Sequence, residues 1–255
     1  MKNTLTFLGT GTSQGVPVIS CSCDVCNSKE KLDKRFRSSV LINLAKKNIL
    51  IDSGPDLRLQ LLREKVDKID SVLFTHEHRD HVAGIDDLRS LYYSNKNEIP
   101  LYMTNQVHDA LKRDYSYLFS DLSYFGKPKF SVNIIENKEF KLFGNKIQPI
   151  QVMHYKLPVF GYKISDLVYI TDANYISEIE QEKIKGIKTL IINCLQIEQH
   201  ISHFNLDEAL SIIKELKVKK AYLTHISHNL GLHKETSKKL PKNVKLAYDS
   251  LKISI

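Results

Sequence analysis

Metal-binding side chains are concentrated in one short segment, Phe-Thr-His-Glu-His-Arg-Asp-His, that ends at residue 81. It places His76, His78, Asp80 and His81 within six residues of one another. Neutral imidazoles and carboxylates bind borderline and hard divalent metals, and at this density they can serve two ions. The segment therefore predicts a metal centre, and hydrolysis is the chemistry that we expect there.

Three more metal-binding side chains follow predicted apolar strands. His154 comes after the strand that ends at residue 153, Asp172 after Tyr-Ile-Thr, and His225 after Leu-Thr. Rigid strands that end together can direct ligands into one pocket. The sequence therefore predicts one site assembled from several strand ends.

A second group of metal-binding residues is the cysteine cluster. Cys21, Cys23 and Cys26 lie within six residues. In a reducing cytosol this spacing indicates metal binding and not disulfides. A structural zinc needs four ligands, and we predict His228 as the fourth because it lies three residues after His225. A reduced, metal-free cysteine loop is the alternative.

The elements that must position these residues alternate between strands and helices. Strands are predicted over 4–8, 39–44, 49–51, 71–75, 101–104, 130–135, 146–153, 161–164, 167–171, 189–193 and 221–224. Helices are predicted after residue 53, over 84–93, over 105–117 and from Asn205, where Glu208 completes a capping box. This alternation predicts an α/β fold with two sheets and helices outside them. Because no linker-like tract divides the chain, we interpret residues 1–255 as one domain with a cysteine loop at 20–30.

Composition narrows the class of protein only weakly. The hydrophobic content of 42% and the charged content of 26% are ordinary for a globular protein. The net charge of +8 favours an anionic partner, but no dense basic block supports nucleic acid. No apolar run approaches the roughly 18 residues of a membrane span, and the N-terminal segment does not resemble a signal peptide. We therefore expect a cytoplasmic protein with no membrane partner.

The order of these motifs resembles the metallo-beta-lactamase superfamily. The matching pattern is His-x-His-x-Asp-His at residues 76–81, followed by His154, Asp172 and His225. The resemblance implies a metallo-beta-lactamase αβ/βα four-layer sandwich, in which two mixed sheets are flanked by helices. Asp52, in Ile-Asp-Ser-Gly, resembles a residue that braces the metal loop without binding metal.

The resemblance also implies a ligand assignment for two divalent ions, zinc or manganese. One ion would be held by His76, His78 and His154, the other by Asp80, His81 and His225, with Asp172 as the bridge. Two such ions about 3.5–4 Å apart can share a hydroxide that acts as the nucleophile at neutral pH.

The cysteine loop and three flanking segments narrow the resemblance further. Residues 8–17, 52–58 and 84–89, together with Thr-His-Ile-Ser-His at 224–228, are similar to the PhnP group of phosphoribosyl cyclic phosphate phosphodiesterases. In that group a cysteine cluster and a late histidine hold one structural zinc, and the resemblance suggests a homodimer. It implies hydrolysis of a small cyclic phosphate ester, of phosphoribosyl 1,2-cyclic phosphate or cyclic nucleotide type, with Asp80 among the catalytic residues.

His203 is the other catalytic candidate. It lies two residues before Asn205, and a helix N-terminus attracts anions such as phosphate. A histidine beside bound phosphate can protonate a leaving alkoxide, and the family resemblance also places a histidine near the substrate here. The alternatives are a surface histidine near a cap and a confusion with His200. His108 and His233 are expected to be solvated.

Three alternative functions remain open from the sequence. A tRNA 3′-processing endonuclease of the same superfamily would carry a long arm between the residues matched by His154 and Asp172, which here are only 18 positions apart. A coenzyme-biosynthesis protein resembling PqqB shares the cysteine loop. A metal-binding scaffold without activity would leave the complete ligand set unexplained.

Overall fold

The computed structural model describes residues 3–120 and 126–255, which form two seven-stranded sheets. The first contains β1 (Thr4–Gly9), β2 (Ser39–Leu44), β3 (Lys47–Ile51), β4 (Ser71–Leu73), β5 (Ile99–Met103), β6 (Phe130–Ile134) and β14 (Lys252–Ser254), in the order β14-β1-β2-β3-β4-β5-β6. The second contains β7 (Phe140–Leu142), β8 (Asn145–His154), β9 (Leu157–Ile164), β10 (Leu167–Tyr169), β11 (Thr189–Asn193), β12 (Lys220–Thr224) and β13 (Val244–Leu246), in the order β13-β12-β11-β10-β9-β8-β7.

The described residues also form helices, several of which pack on the outer faces of the two sheets. They are α1 (Asp24–Asn27), α2 (Leu57–Glu64), α3 (Arg79–Val82), α4 (Leu88–Asn95), α5 (Asn105–Asp114), α6 (Ser116–Phe119), α7 (Glu178–Ile184), α8 (Leu206–Glu215) and α9 (His233–Lys239). Within the described ranges, no helix is both long and apolar enough to cross a membrane.

Three buried apolar layers hold the sheets and helices together. The central layer joins side chains of both sheets, such as Phe7 and Ile42 of the first and Tyr169 of the second. One outer layer packs α2, α4 and α5 on the first sheet, and the other packs α7 and α8 on the second. This is the αβ/βα four-layer sandwich expected from the sequence.

Parallel pairing explains why the predicted ligands meet. In the first sheet β3, β4, β5 and β6 are parallel neighbours, and in the second β10, β11, β12 and β13 are. Parallel strands point their carboxyl ends to the same edge of a sheet, and functional groups collect there. The loops after β3, β4, β10 and β12 carry Asp52, the metal loop, Asp172 and His225.

Most predicted elements are present, and Asn205 caps α8 through the expected capping box with Glu208. The predicted elements and the structure differ in a few other places. The predicted helix over 84–93 begins instead as a 3₁₀ turn, Ile85–Asp87, before α4. The strands β7, β13 and β14 and the short helices α1, α3, α7 and α9 were not predicted.

The expectation of a solvated His233 is wrong. Its ring is buried, and its Nδ1 lies 3.1 Å from the Arg35 guanidinium, while its backbone N–H donates to Asp33 at 2.8 Å. Burial, followed by the charge of Arg35, lowers the pKa of His233 to about 4. His108 is half-buried, with its ring 5.8 Å from that of Phe119, and is not freely solvated either.

Candidate metal centre

Asp52 fixes the loop that carries the histidine motif. Its carboxylate is fully buried and accepts hydrogen bonds from the Thr75 backbone N–H and hydroxyl, each at 2.8 Å. The same carboxylate lies 2.7 Å from Nδ1 of His81. With Nδ1 donating to Asp52, the other ring nitrogen, Nε2, is left free to face the site. The bracing role that the family resemblance implied for Asp52 agrees with these contacts.

The metal loop also rests on the backbone that follows Asp52. Ser53 N–H donates to the His81 carbonyl at 2.7 Å. A Cβ added at Gly54 would lie 2.2 Å from the Asp80 carbonyl oxygen, which no real side chain tolerates. Glycine at this position therefore allows the backbone after Asp52 to pack directly against the backbone of the metal loop at Asp80.

Three histidine rings form one side of the site. The centroids of His76 and His78 are 4.6 Å apart, those of His78 and His154 are 5.1 Å apart, and those of His76 and His154 are 6.0 Å apart. His154 Nδ1 lies 2.8 Å from the Ser202 carbonyl, so it donates there and leaves Nε2 available. His76 Nε2 is buried and has no hydrogen-bond partner among the described residues.

Two carboxylates and two histidines form the other side. Donor atoms of Asp80, His81, Asp172 and His225 all lie within 4.8 Å of one another. His81 Nε2 is 3.2 Å from Asp80 Oδ2 and 3.1 Å from Asp172 Oδ2, and His225 Nδ1 is 3.2 Å from the same Asp172 oxygen. Asp172 is therefore central to this group, as a bridging ligand would be.

The chemistry of these donors fits two divalent ions. Buried polar atoms are almost always paired, so Nε2 of His76 and of His81, which have no hydrogen-bond partner among the residues described, require an explanation. Imidazole nitrogens and carboxylate oxygens that converge in this way are the donor set of zinc, manganese or iron centres. The structure thus brings together all seven residues predicted as active-site ligands.

Charge in the site is concentrated on the carboxylates and on His81. Burial lowers the pKa of His81, but the negative charges of Asp80, Asp172 and Asp52 outweigh it and raise that pKa well above its usual value. Burial lowers the pKa of His76 far below its usual value. In the metal-free protein His81 is therefore the residue that carries a positive charge among these carboxylates.

Three residues of the site adopt left-handed backbone conformations. The φ angles of Asp52, Asp172 and His225 are 63°, 53° and 55°. Non-glycine residues rarely adopt this conformation, and its cost of order 1–3 kcal/mol is tolerated where the surroundings fix it. For Asp172 the fixing residue is buried Asn193, whose amide accepts from Ala173 N–H and donates to Ala173 C=O, both at 2.9 Å.

His203 lies inside the site, close to the first group. Donor atoms of His154, Asp172 and His203 lie within 4.8 Å of one another, and Nδ1 of His203 is 3.8 Å from Asp172 Oδ1. Burial, and next the charge of His225, lowers the pKa of His203 to about 3. His200 is exposed, with its ring 5.1 Å from that of His203, which agrees with the choice of His203 over His200.

The cysteine cluster converges on His228. Its Nδ1 lies 3.2, 3.3 and 3.6 Å from the sulfurs of Cys21, Cys23 and Cys26. A tetrahedral zinc with Zn–S and Zn–N bonds of about 2.3 and 2.0 Å sets sulfur and nitrogen about 3.5 Å apart, so the spacing fits zinc. The pKa of Cys23 is lowered to about 6, chiefly because Cys26 N–H donates to its sulfur.

Residues 47–226 match the family model described as a beta-lactamase superfamily domain. The chain belongs to the metallo-beta-lactamase superfamily. A crystal structure described as a new diphosphatase from the PhnP family is 37% identical, with a TM-score of 0.93 over 100% of this chain and 98% of that one. The Zn(2+)-bound PqqB of Methylobacterium extorquens has a TM-score of 0.80 but only 17% identity, over 99% of this chain and 100% of that one.

The sequence is also similar to curated proteins whose names describe different activities. The chain is 38% identical over 98% of its length to an octanoyltransferase of Porphyromonas gingivalis, but it spans only 51% of that protein. It is 26% identical to ribonuclease Z of Borrelia garinii subsp. bavariensis, over 85% of this chain and 88% of the relative. The family model and the similarity to the PhnP-family structure confirm the PhnP resemblance and the four-layer fold.

Several residues around the site had no assigned role in the sequence analysis. The Thr12 hydroxyl lies 3.2 Å from His225 Nε2, the Ser202 carbonyl orients His154, and Asn193 holds the backbone next to Asp172. Thr12 belongs to the Gly-Thr-Gly-Thr turn after β1, and that turn was the only available signal. A carbonyl and a distant amide leave no signal in a single sequence.

Proposed function

We propose that this metal-dependent hydrolase is a dinuclear phosphodiesterase that acts on a small cyclic phosphate ester, of phosphoribosyl 1,2-cyclic phosphate or cyclic nucleotide type. The observation that carries the proposal is the convergence of seven donor side chains from four strand-end loops. Two of their buried nitrogens, Nε2 of His76 and of His81, have no hydrogen-bond partner in the part of the chain that the structure describes. Similarity to a PhnP-family diphosphatase over the whole chain supports a substrate that contains phosphate.

The seven ligand residues would form two metal sites that share Asp172. His76, His78 and His154 would hold one ion and Asp80, His81 and His225 the other, with Asp172 between them. When bound, two divalent ions would supply an activated water near neutral pH and neutralise charge on the phosphate oxygens. Asp52 orients His81, and the Ser202 carbonyl orients His154, so that the ligand nitrogens point inward.

His203 completes the proposed reaction as the general acid. Its ring lies 4.6 Å from that of His154 and 5.0 Å from that of His225, so it borders both ligand groups. Asn205, the N-cap of α8, lies two residues later, so His203 lies next to the N-terminal end of that helix. The lowered pKa leaves His203 neutral in the free protein, and the negative charge of a bound phosphate would raise that pKa. A proton delivered from His203 would then neutralise the leaving alkoxide as the phosphorus–oxygen bond breaks.

The interval between His154 and Asp172 favours a small substrate over tRNA. The residues between them form the two-residue turn 155–156, β9, a second turn at 165–166, and β10 with its two following residues. These strands are paired along their length, so this interval holds no arm of the kind that tRNA 3′-processing enzymes carry.

Turnover by zinc- or manganese-loaded protein tests the proposal. The panel contains bis(p-nitrophenyl) phosphate, ribose 1,2-cyclic phosphate esters, 2′,3′-cyclic nucleotides and a tRNA precursor. We expect hydrolysis of the cyclic phosphates, at least about 100-fold slower in Asp80→Ala because a metal ligand is lost. Glu77→Ala is the matched control, since Glu77 lies in the same loop but pairs with Gln106. Metal-loaded protein that turns over none of the phosphodiesters contradicts the proposal.

A further inference from the structure

An exposed tyrosine follows a proposed metal ligand directly. Tyr155 is 51% exposed, although the preceding His154 is one of the rings of the site. Consecutive Cα atoms are about 3.8 Å apart, so the side chain of Tyr155 leaves the backbone next to that of the ligand histidine. Across the adjoining loop Ile201 is 68% exposed, two residues before His203. Large apolar side chains thus stay uncovered at the rim of the site.

The rim is held in place by one side chain. Asn174 Oδ1 accepts from Tyr155 N–H at 2.8 Å, and Asn174 Nδ2 donates to the Ile201 carbonyl at 3.0 Å. Asn174 therefore ties the turn after His154 to the loop before His203. A fixed position reduces the ordering cost of a ligand that packs on this surface.

Stability does not explain the choice of tyrosine at this position. Tyr155 occupies the turn between β8 and β9 with a φ of 57°, in the left-handed region. Glycine, asparagine and aspartate adopt this conformation readily, whereas a bulky aromatic residue does so at a cost. An exposed ring gains little packing in return. A strained, solvent-facing aromatic residue beside a reaction centre is consistent with a role in binding.

We propose that Tyr155 is a stacking residue for the nucleobase of a nucleotide substrate, with Ile201 as its apolar neighbour. The proposal rests on the proposed phosphodiesterase function and selects the cyclic nucleotide class within it. A tyrosine ring offers a planar face on which any base can stack. The Lys156 ammonium lies 5.3 Å from the Tyr155 ring centre and adds positive charge beside that face, which suits an anionic nucleotide.

The same strand provides a matched control. Phe143 is also exposed, also has a left-handed φ, of 49°, and also lies under a lysine, Lys47, at 5.2 Å. It precedes β8, whereas Tyr155 follows β8, and a ten-residue strand extends about 30 Å. Phe143 therefore shares the exposure, the left-handed φ and the neighbouring lysine of Tyr155, at the far end of the strand from His154.

Binding of AMP and of ribose 5-phosphate to the metal-loaded protein, followed by calorimetry, tests the inference without turnover. Stacking contributes about 1 kcal/mol or more per base, so wild-type protein should bind AMP at least about fivefold more tightly than ribose 5-phosphate. Tyr155→Asn should remove this preference without lowering the unfolding midpoint, because asparagine tolerates the left-handed turn. Tyr155→Phe and Phe143→Asn should keep the preference.

Several outcomes overturn the inference. They are equal affinities for the two ligands in wild-type protein, no AMP binding at millimolar concentration, a preference that survives Tyr155→Asn, and a wild-type dimer that Tyr155→Asn splits into monomers. The last result would make this surface a subunit contact. Tyr155-dependent AMP binding without any phosphodiester turnover would reject the proposed function alone. Turnover that needs Asp80, with equal AMP and ribose 5-phosphate binding, would reject the stacking role alone.

Discussion

Oδ2 of Asp52 lies 2.7 Å from Nδ1 of His81, and both side chains are fully buried. The two residues are 29 positions apart: Asp52 directly follows β3, and His81 lies in α3, after the neighbouring parallel strand β4. This contact fixes which nitrogen of His81 faces the site. It therefore links the packing of the first sheet to the affinity of the metal centre.

Asp52→Asn should weaken metal binding without removing a ligand. Loss of the carboxylate that orients a ligand histidine commonly costs 10–100-fold in metal affinity or activity, and we expect a loss of about that size. Competition with a chromogenic chelator measures it. Asp70→Asn is the control, because Asp70 pairs with Lys47 and Lys68 in a different region of the first sheet. An unchanged metal affinity in Asp52→Asn would show that His81 does not need this partner.

The affinity of the site for metal should rise with pH. The pKa of His81 is raised well above its usual value by Asp80, Asp172 and Asp52, so the metal-free protein keeps that proton at pH 7. A metal ion needs the lone pair of His81, and binding must release the proton. Below the pKa of His81, affinity should therefore increase by up to about tenfold per pH unit, and it should level off above that pKa.

Calorimetric zinc titrations in buffers of different ionisation enthalpy measure this release. Burial already lowers the pKa values of His76 and His225, so these rings are neutral and add no proton. With the cysteine site already filled by zinc, we expect at least one proton released for each pair of ions at pH 7, that of His81, in addition to the proton that a metal-bound water loses. A heat of binding that is the same in every buffer would refute the protonated state of His81.

The ligands were predictable because each follows a strand that is itself recognisable. Apolar runs before His154, Asp172 and His225 identify strand ends, and parallel strands bring their ends to one edge. Short edge strands such as β14 carry too few residues to show a period. The fold class could therefore be predicted, and the complete element list could not.

Contacts between distant parts of the chain account for what the sequence analysis missed. Thr12 reaches His225 across 213 positions, and Arg35 reaches His233 across 198. A lone histidine gives no sign of such a partner, so His233 was expected in solvent. Spacing can identify a ligand beside its own strand, but not a residue whose role depends on tertiary packing.

Cys23→Ser should remove one zinc ion per chain from the Cys21, Cys23, Cys26 and His228 cluster. A structural site with three remaining ligands holds zinc poorly. Because loss of a structural metal is among the most destabilising changes a mutation can cause, we expect the free energy of unfolding to fall by about 4 kcal/mol. Elemental analysis and denaturant unfolding measure both effects. Cys194→Ala is the control, because that buried cysteine lies outside the cluster. A full zinc content in Cys23→Ser would refute the site.

Asn193→Ala should disturb Asp172 without touching a ligand. The change leaves the buried Ala173 N–H without its partner, at a cost of about 1–3 kcal/mol, while the Ala173 carbonyl keeps the bond from Phe204 N–H. The left-handed conformation of Asp172 should then relax, and metal affinity should fall together with stability. Asn43→Ala, which removes a bond to Asn48 in the first sheet, should leave metal affinity unchanged. Equal metal affinities in the two variants would contradict the role of Asn193.

Substrates with different leaving groups can test whether His203 acts as a general acid. General acid catalysis contributes typically 10²–10⁴-fold where an alkoxide must be protonated. His203→Ala should lose about that much on a cyclic phosphate but less than about tenfold on bis(p-nitrophenyl) phosphate, since p-nitrophenolate departs without a proton. His200→Ala, next to it and exposed, should lose little on either.

The metal content of His203→Ala distinguishes the two roles that the geometry allows His203, metal ligand and general acid. Its donor atom lies near those of His154 and Asp172, so a ligand role would also place it there. A general acid leaves the metal content of His203→Ala at the wild-type level and produces the difference between leaving groups. Equal losses on both substrates, accompanied by a lower metal content, would instead assign His203 to the metal centre. Retained metal with equal losses would limit His203 to positioning the substrate, because no proton transfer would then distinguish the two leaving groups.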